Sequence, residues 1–237
     1  MHDALFFGPH PDDIELTCGG LAARLAAAGR SVALIDLTRG ELGTRGDRAT
    51  REREGLAAAR VLGVTHRESL ALPDGGLDRH DRAQQIAVVE CLRLHRPSLV
   101  VAPDPDDAHP DHIEAAHLLA RACYLSGLAR FEAGGERWRP DRLLHALYRS
   151  AARPHLVVDV TDVWAKRVAA LAEHRSQLDP AAGAPTYLTS SSFLAEVEGR
   201  ARHWGATIGV DFGEAYRQRG PVAILDAESL LAERRTP

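Results

Sequence analysis

The residues with the clearest chemical potential lie in one short stretch near the start of the chain, His10-Pro-Asp-Asp13. The stretch combines an imidazole with two adjacent carboxylates, Asp12 and Asp13. A divalent metal such as Zn²⁺ readily takes one nitrogen and one oxygen ligand from such a turn. The other carboxylate then stays free to move protons. A polar turn in which Asp12 or Asp13 caps a helix is the alternative that this stretch alone leaves open.

A second stretch of the same kind, His109-Pro-Asp-His112, lies much further along the chain. The i, i+3 spacing of its two histidines lets both face one side of the first turn of a following helix. Several aspartates accompany it, and we expect these to be solvated or capping residues and not metal ligands. They are Asp104, Asp106, Asp107 and Asp111.

Both stretches directly follow apolar segments of the length of a buried strand. Ala4 to Phe7 precedes the first, and Ser98 to Ala102 precedes the second. Ligands bind beyond the carboxyl ends of the strands in open α/β sheets, so the two turns should converge at one edge. The sequence therefore predicts a cleft that holds three imidazoles, several carboxylates and a bound divalent metal.

The rest of the chain alternates apolar strand-length runs with helical periodicity. Further strands are predicted at Ser31 to Leu37, His66 to Leu72, Pro140 to Ser150 and His155 to Val160. Helices are predicted from Ile14 onward, from Thr50 to Gly63, and at Arg82 to His95, Ile113 to Tyr124, Val163 to Gln177 and Phe193 to His203. The β-α-β order favours parallel pairing with right-handed crossovers. We predict an α/β, Rossmann-like, mostly parallel sheet flanked by helices. A smaller C-terminal extension should pack on the same domain, so that residues 1–237 form a single domain.

Charge and residue composition argue against several classes of binding partner and cellular location for this chain. The chain has 237 residues and a formal net charge of -4, which argues against a nucleic-acid or anionic-membrane partner. The three cysteines are odd in number and form no CxxC pair, so buried free thiols in a reducing cytosol are expected. We expect no signal peptide, because no basic region precedes a long apolar run. No segment reaches the roughly 18 apolar residues that a membrane span needs.

The paired His-Pro-Asp motifs resemble those of the LmbE-like or PIG-L family of zinc-dependent N-acetylglucosamine deacetylases, and the resemblance spans nearly the whole chain. The branch that deacetylates N-acetyl-α-D-glucosaminyl L-malate in bacillithiol biosynthesis is similar in several further segments. These are Gly40-Glu-Leu-Gly-Thr-Arg-Gly46, Arg51, Leu72-Pro-Asp-Gly75, Val158-Asp-Val-Thr-Asp162 and Ser176-Gln177. The resemblance implies removal of the acetyl group from that malate glycoside. Another N-acetylglucosamine conjugate, a chitooligosaccharide, or a non-catalytic sugar-binding role are the alternatives.

The resemblance also implies roles for individual residues. His10, Asp13 and His112 match the metal ligands, and Asp12 matches the general base. His109 matches a histidine that stabilises the tetrahedral intermediate or protonates the leaving amine. The implied metal is Zn²⁺, with Fe²⁺ or another divalent ion left open by the ligand types.

Arg51 and Asp74 match positions that bind substrate. Arg51 would lie near the acyl or anionic part of the ligand, and Asp74 would accept hydrogen bonds from sugar hydroxyls. A solvated arginine at a helix start and an ordinary turn aspartate are the other interpretations. The resemblance further implies a small-molecule glycoside as substrate, a cytoplasmic location and a homo-oligomer such as a hexamer.

The remaining histidines belong to no motif, and we expect structural or surface roles for them. They are His2, His66, His80, His95, His117, His145, His155, His174 and His203.

Two other enzyme classes fit the sequence less well. A dinucleotide-binding oxidoreductase requires G-x-G-x-x-G after the first strand, where this chain has Pro9 and Pro11. A phosphoester hydrolase would typically hold two bridged metals.

Overall fold

One mixed sheet of seven strands carries the fold, in a computed structural model that describes residues 1–149, 152–223 and 228. In chain order the strands are β1 (Ala4–Gly8), β2 (Val32–Thr38), β3 (His66–Leu72), β4 (Leu99–Pro103), β5 (Arg142–Ala146), β6 (Leu156–Asp159) and β7 (Gly213–Arg217). Their order across the sheet is β3-β2-β1-β4-β5-β7-β6. Strands β1 to β5 pair in parallel, whereas β7 runs antiparallel between β5 and β6. The predicted α/β class with a mostly parallel sheet is confirmed.

Helices cover both faces of this sheet. They are α1 (Asp13–Thr17), α2 (Gly19–Ala27), α3 (Arg48–Leu62), α4 (Arg82–His95), α5 (Pro110–Leu125), α6 (Trp164–Ala172), α7 (Arg175–Leu178) and α8 (Phe193–Thr207). Short 3₁₀ turns lie at Thr161–Val163, Pro180–Ala182 and Tyr187–Thr189. None of the helices in the described part of the chain is long and apolar enough to span a bilayer.

The central strand β1 is buried on both faces, which explains its continuous apolar sequence. Successive side chains of a strand point to opposite faces of the sheet. Phe6 therefore packs in the core beneath α2, α3 and α6, whereas Leu5 and Phe7 pack in the core beneath α4 and α5. Side chains of this one strand thus contribute to the hydrophobic core on both faces of the sheet.

The topology places a crevice at the carboxyl end of β1. This strand lies between β2 and β4, so the chain proceeds to one side of the sheet after β1 and to the other side after β4. Such a switch point opens a crevice between the two connections. The residues that follow β1 and β4 contain the two His-Pro-Asp motifs, so both motifs meet at this point.

Two predicted helices are interrupted. The helix predicted at Val163 to Gln177 is divided into the Thr161–Val163 turn, α6 and α7. The chain bends at His174, whose fully buried ring has its Nε2 3.3 Å from the Glu15 carboxylate. The first helix breaks at Cys18, between α1 and α2. Neither break has a signal in the apolar periodicity from which the helices were predicted.

One strand was missed and one was predicted too long. β7 contains Glu214 and is short and polar, so its residues carry no strand signal. The strand predicted at Pro140 to Ser150 is observed as β5, and Ser150 lies outside the described residues. The predicted state of the cysteines is confirmed, because Cys18, Cys91 and Cys123 are buried free thiols.

Candidate metal and catalytic site

The side chains of His10, Asp13 and His112 meet at the switch point. Asp13 Oδ2 lies 3.1 Å from His10 Nδ1 and 3.2 Å from His112 Nε2. One ligand atom from each of the three residues lies within 4.8 Å of the other two. Two imidazole nitrogens and one carboxylate oxygen form the donor set of a catalytic zinc site, which leaves a position open for substrate or water. These three residues therefore fit a single divalent ion.

A carboxylate lies behind each of the two imidazoles. His10 Nε2 lies 3.2 Å from Asp74 Oδ1 and 3.2 Å from Asp111 Oδ2. His112 Nδ1 lies 3.1 Å from Asp107 Oδ2. Hydrogen bonds of this kind fix the tautomer and ring orientation of metal-ligating histidines. With an ion bound, each ring would keep its proton on the outer nitrogen and direct the lone pair of its inner nitrogen to the ion.

The four aspartates near the second motif were expected to be solvated or capping residues, but only Asp106 is mostly exposed. Asp107 and Asp111 face the imidazoles, whereas Asp104 and Asp106 pair with Arg217 on β7. In addition, Asp111 accepts a hydrogen bond from the backbone N–H of Gly75 at 2.8 Å. The sequence could not separate the two pairs, because their partners include His10 and Arg217, which lie far away in the chain.

The electrostatics of this cluster favour a cation. Burial opposes the charged form of His10, but the hydrogen bonds that its ring donates to Asp111, Asp13 and Asp74 outweigh burial and raise the pKa of His10 to about 12. Burial likewise opposes the charged form of His112, but the charge of Asp13 and the bond to Asp107 raise its pKa to about 10. The carboxylates therefore hold positive charge at this point, and a divalent ion can replace those protons.

Asp12 lies beside the three metal-site residues in a strained backbone conformation. Its φ is 122° and its ψ is -25°, a region that non-glycine residues rarely occupy. Such strain costs about 1–3 kcal/mol and clusters at active sites. The side chain makes no capping bond to α1, so the capping interpretation does not hold for Asp12. Burial raises the pKa of the Asp12 carboxyl, although the charge of Arg51 opposes that shift.

Arg51 lies in the wall behind Asp12 and is only 4% exposed. Its Nη2 lies 3.4 Å from Asp12 Oδ1 and donates to the carbonyl of Pro11 at 2.7 Å. Its Nη1 donates to the carbonyl of Gly40 at 3.1 Å. A Cβ at Gly40 would lie 1.9 Å from Arg51 Nη1, so this guanidinium requires glycine there. The guanidinium is thus held by the loops that carry the site.

Asp74 reaches the same cluster from the loop after β3. Besides its contact with His10, its Oδ2 accepts a hydrogen bond from the backbone N–H of Leu42 at 2.7 Å. It also lines the cleft. The segment Leu72-Pro-Asp-Gly75 therefore contributes to the site. The Asp74 carboxylate already contacts His10 and Leu42.

His109 caps α5 with its ring. Its Nδ1 accepts the backbone N–H of Asp111 at 3.2 Å, so the proton of the neutral ring sits on Nε2. The ring centroid lies 5.0 Å from that of His10 and 4.9 Å from that of His112. Burial and the charges of His112 and His10 lower the pKa of His109. A neutral ring with an Nε2–H donor therefore stands next to the candidate metal position.

These groups line a cleft of about 610 Å³. Residues from the last third of the chain form its outer wall, and of these Gln177 lies in a segment that the family resemblance singled out. They are Tyr148, Arg149, Gln177, Tyr187 and Leu188. The Tyr148 hydroxyl is buried without a hydrogen-bond partner in the described part of the chain. Arg149 stacks on Tyr187, with its Cζ 4.6 Å from the ring centroid. The cleft thus offers aromatic surface, a free hydroxyl and a cation outside the carboxylate cluster.

Three further charged residues lie elsewhere or have structural roles. Arg45 donates from Nη2 to the carbonyl of Asp179 and is 4% exposed. Arg39 lines a separate cavity beside β3. Glu214 accepts hydrogen bonds from the backbone N–H groups of Gly20 and Leu21, both at 2.8 Å. It therefore caps α2 and does not enter the cleft.

Known proteins with similar sequences are named as deacetylases. The PIG-L family profile, GlcNAc-PI de-N-acetylase, matches residues 5–124. The diacetylchitobiose deacetylase of Thermococcus kodakarensis is 30% identical over 184 residues, covering 71% of this chain and 67% of that protein. The 1D-myo-inositol 2-acetamido-2-deoxy-alpha-D-glucopyranoside deacetylase of Rhodococcus opacus is 31% identical over 176 residues, covering 60% of each.

A solved structure extends the similarity over the whole fold. The crystal structure of a conserved protein from Thermus thermophilus matches with a TM-score of 0.87 and 35% sequence identity. The match covers 96% of this chain and 99% of that one. By contrast, the chain spans only 60–67% of the length of the two curated relatives above.

Proposed function

Because the chain belongs to the PIG-L family of de-N-acetylases, we propose that it is a metal-dependent hydrolase that removes the N-acetyl group of an N-acetylglucosaminide. The observation that carries this proposal is the convergence of His10, Asp13 and His112 on one point, beside the buried carboxylate of Asp12. The cleft at this point is within the size range of small-molecule sites.

The donors that would hold the ion are His10 Nδ1, Asp13 Oδ2 and His112 Nε2. When bound, the ion supplies a Lewis acid for the acetyl carbonyl and acidifies water. Zn²⁺ is the proposed ion, and Fe²⁺ suits the same donors. Asp74, Asp107 and Asp111 would orient the two imidazoles from behind.

Asp12 is proposed as the general base. Its carboxylate would accept a proton from the water that attacks the acetyl carbonyl. A base works best when its pKa approaches the working pH, and burial moves Asp12 in that direction. Arg51 is a positioning residue in this account, since it holds both the Asp12 carboxylate and the Pro11 carbonyl.

His109 is proposed to stabilise the negative charge that develops on the acetyl oxygen. Its Nε2–H would donate a hydrogen bond to the oxyanion of the tetrahedral intermediate. The water oxygen forms the new C–O bond, the amide C–N bond breaks, and the protons of the water end on the leaving amine. The products are acetate and the free glucosamine amine.

Asp74 is proposed to bind the sugar. Each carboxylate oxygen can accept more than one hydrogen bond, so the contacts with His10 and Leu42 leave capacity for a hydroxyl. Tyr148 is a second candidate for this contact, because its hydroxyl has no partner within the described residues. Tyr187 would offer an aromatic face at the mouth of the cleft.

The aglycone that we propose is the L-malate of N-acetyl-α-D-glucosaminyl L-malate. Support comes from the segments that resemble the bacillithiol branch and from Arg149, a cation in the cleft wall that could meet a carboxylate. Diacetylchitobiose and an inositol conjugate of N-acetylglucosamine are the competing substrates, since the two relatives above are named for acting on them. The homo-oligomer and the cytoplasmic location stay predictions.

An acetate-release assay tests the proposal. Metal-loaded protein would be given N-acetylglucosaminyl malate, its inositol counterpart, diacetylchitobiose and free N-acetylglucosamine. We expect metal-dependent release of one acetate for each amine formed, fastest with the malate conjugate. Faster release from another conjugate would change the aglycone assignment only. Binding of the sugars without any acetate release would support a non-catalytic sugar-binding protein instead.

A further inference from the structure

A second cluster of histidines lies at the opposite edge of the sheet. It contains His2, His66 and His95 together with Glu68, and the sequence alone predicted structural or surface roles for its histidines. His2 precedes β1, whereas His10 follows that strand, so the cluster lies at the other end of β1 from the candidate catalytic site. It shares no residue with that site.

A strand, a helix and the segment before β1 build this cluster. His66 and Glu68 stand two residues apart on β3, so both side chains point to the same face. His95 is the last residue of α4, which packs on that face. The backbone N–H of His2 donates to the His95 carbonyl at 2.9 Å, which ties the start of the chain to the end of α4.

The four side chains are in direct contact. His95 Nε2 lies 2.9 Å from Glu68 Oε1, and His66 Nε2 lies 3.5 Å from Glu68 Oε2. The three ring centroids lie 4.9, 4.9 and 5.1 Å apart. Ligand atoms of His66, Glu68 and His95 all lie within 4.8 Å of one another. Donors that share one tetrahedral ion at about 2.0–2.1 Å are roughly 3.4 Å apart, so the three side chains would move closer together around an ion.

The hydrogen bonds of the cluster allow its ring nitrogens to serve as metal ligands. His2 Nδ1 and His95 Nδ1 lie 2.9 Å apart, so one of them carries a proton and the other a lone pair. His95 Nε2–H donates to the Glu68 carboxylate at 2.9 Å; if an ion displaced that proton, His95 Nδ1–H could donate to His2 Nδ1 and leave the Nε2 lone pair for the ion. In addition, the buried Nε2 of His66 has no hydrogen-bond partner in the described part of the chain. His66 Nε2 is therefore a potential metal-ligand atom that makes no hydrogen bond and lies near the Glu68 carboxylate.

We propose that His66, Glu68 and His95 bind a divalent transition-metal ion such as Zn²⁺, and that His2 orients His95 from behind. Two imidazoles and one carboxylate repeat the donor set of the catalytic site, and this set suits Zn²⁺ better than Mg²⁺ or Ca²⁺. Side-chain exposures of 38% for His66 and 35% for Glu68 leave the ion a route from solvent. The bound ion would link the N-terminus, β3 and α4, and thus stabilise this edge of the sheet.

Equilibrium dialysis against Zn²⁺, followed by elemental analysis, tests this site separately from catalysis. Chelator-stripped wild-type protein should bind two equivalents. His66→Ala and Glu68→Gln should each bind one, with unchanged deacetylase activity. His112→Ala should also bind one, and His66→Ala combined with His112→Ala should bind none. His203→Ala, which removes an exposed histidine on α8, is the control for adventitious binding and should still bind two.

A zinc stoichiometry that is the same in wild type, His66→Ala and Glu68→Gln would overturn the proposal. Co²⁺ gives an independent readout, because its visible absorption reports a low-symmetry nitrogen and oxygen site. In the His112→Ala background, one equivalent of Co²⁺ should give these bands, and Glu68→Gln should abolish them. Both measurements stay informative if no deacetylase substrate is found, so failure of the proposed activity would not affect them.

Discussion

The guanidinium of Arg51 lies 3.4 Å from the carboxylate of Asp12, with both side chains buried. The family resemblance predicted that Arg51 would bind the substrate, yet its Nη groups are directed to Asp12 and to the carbonyls of Pro11 and Gly40. An arginine so held controls where Asp12 stands. The Asp12 side chain makes no helix-capping hydrogen bond, so capping does not hold its carboxylate in place. The contact with Arg51 is therefore important for its position.

Arg51→Gln should therefore lower kcat by about 10²-fold with little change in KM, the typical cost of misplacing a reacting group. Steady-state kinetics with the substrate identified by the acetate-release assay checks this. Arg48→Gln, an exposed position at the start of α3, is the matched control and should behave as wild type. A raised KM at unchanged kcat would instead mean that Arg51 binds substrate.

Asp12→Asn should retain the metal and lose turnover by about 10²–10⁴-fold, the usual contribution of a general base. The amide keeps the shape of the carboxylate but cannot accept the proton from water. Acetate release and elemental analysis on the same preparation give both values. Near-normal turnover in a metal-loaded Asp12→Asn sample would refute the base assignment.

His112→Ala should lose the ion of the catalytic site, because only one imidazole and one carboxylate of that donor set would remain. Zinc content after dialysis measures this loss. The proposed second site at His66 should keep its ion, so the content should fall from two equivalents to one. His117→Ala, further along the same helix, is the control and should keep wild-type zinc content. Full zinc content in His112→Ala would count against its role as a ligand.

Asp107→Asn and Asp111→Asn should each lower metal affinity or activity by about 10–100-fold, since these carboxylates orient the two imidazoles. Competition with a zinc chelator measures the affinity. Asp106→Asn removes a neighbouring carboxylate that pairs with Arg217, and it should leave zinc affinity unchanged. Equal effects of all three substitutions would show that net charge, and not orientation, controls binding.

Glu214→Gln should lower the free energy of unfolding by about 3 kcal/mol, because it leaves the buried Arg167 without its carboxylate and weakens the cap of α2. Urea unfolding followed by circular dichroism measures the loss. Activity per folded molecule should stay the same, since Glu214 lies outside the cleft. A selective loss of kcat at unchanged stability would assign Glu214 to catalysis.

The sequence by itself determined the class of fold and the core of the site. Strand-length apolar runs before each His-Pro-Asp motif predicted that the two motifs would meet at one sheet edge, and β1 and β4 are indeed neighbours. This inference succeeded because parallel strands present their carboxyl ends on the same side. The predicted convergence needed no knowledge of side-chain orientation.

Tertiary structure decided which polar side chains face one another. The imidazole contacts of Asp107 and Asp111, the pairing of Arg51 with Asp12, and the strand that carries Glu214 all depend on contacts between residues far apart in the chain or on loop conformation. The cluster of His66 with His95 has the same origin, since β3 and α4 bring together residues that share no motif. Local periodicity reports which side of an element is buried. It carries no information on which charged group another element will place against it.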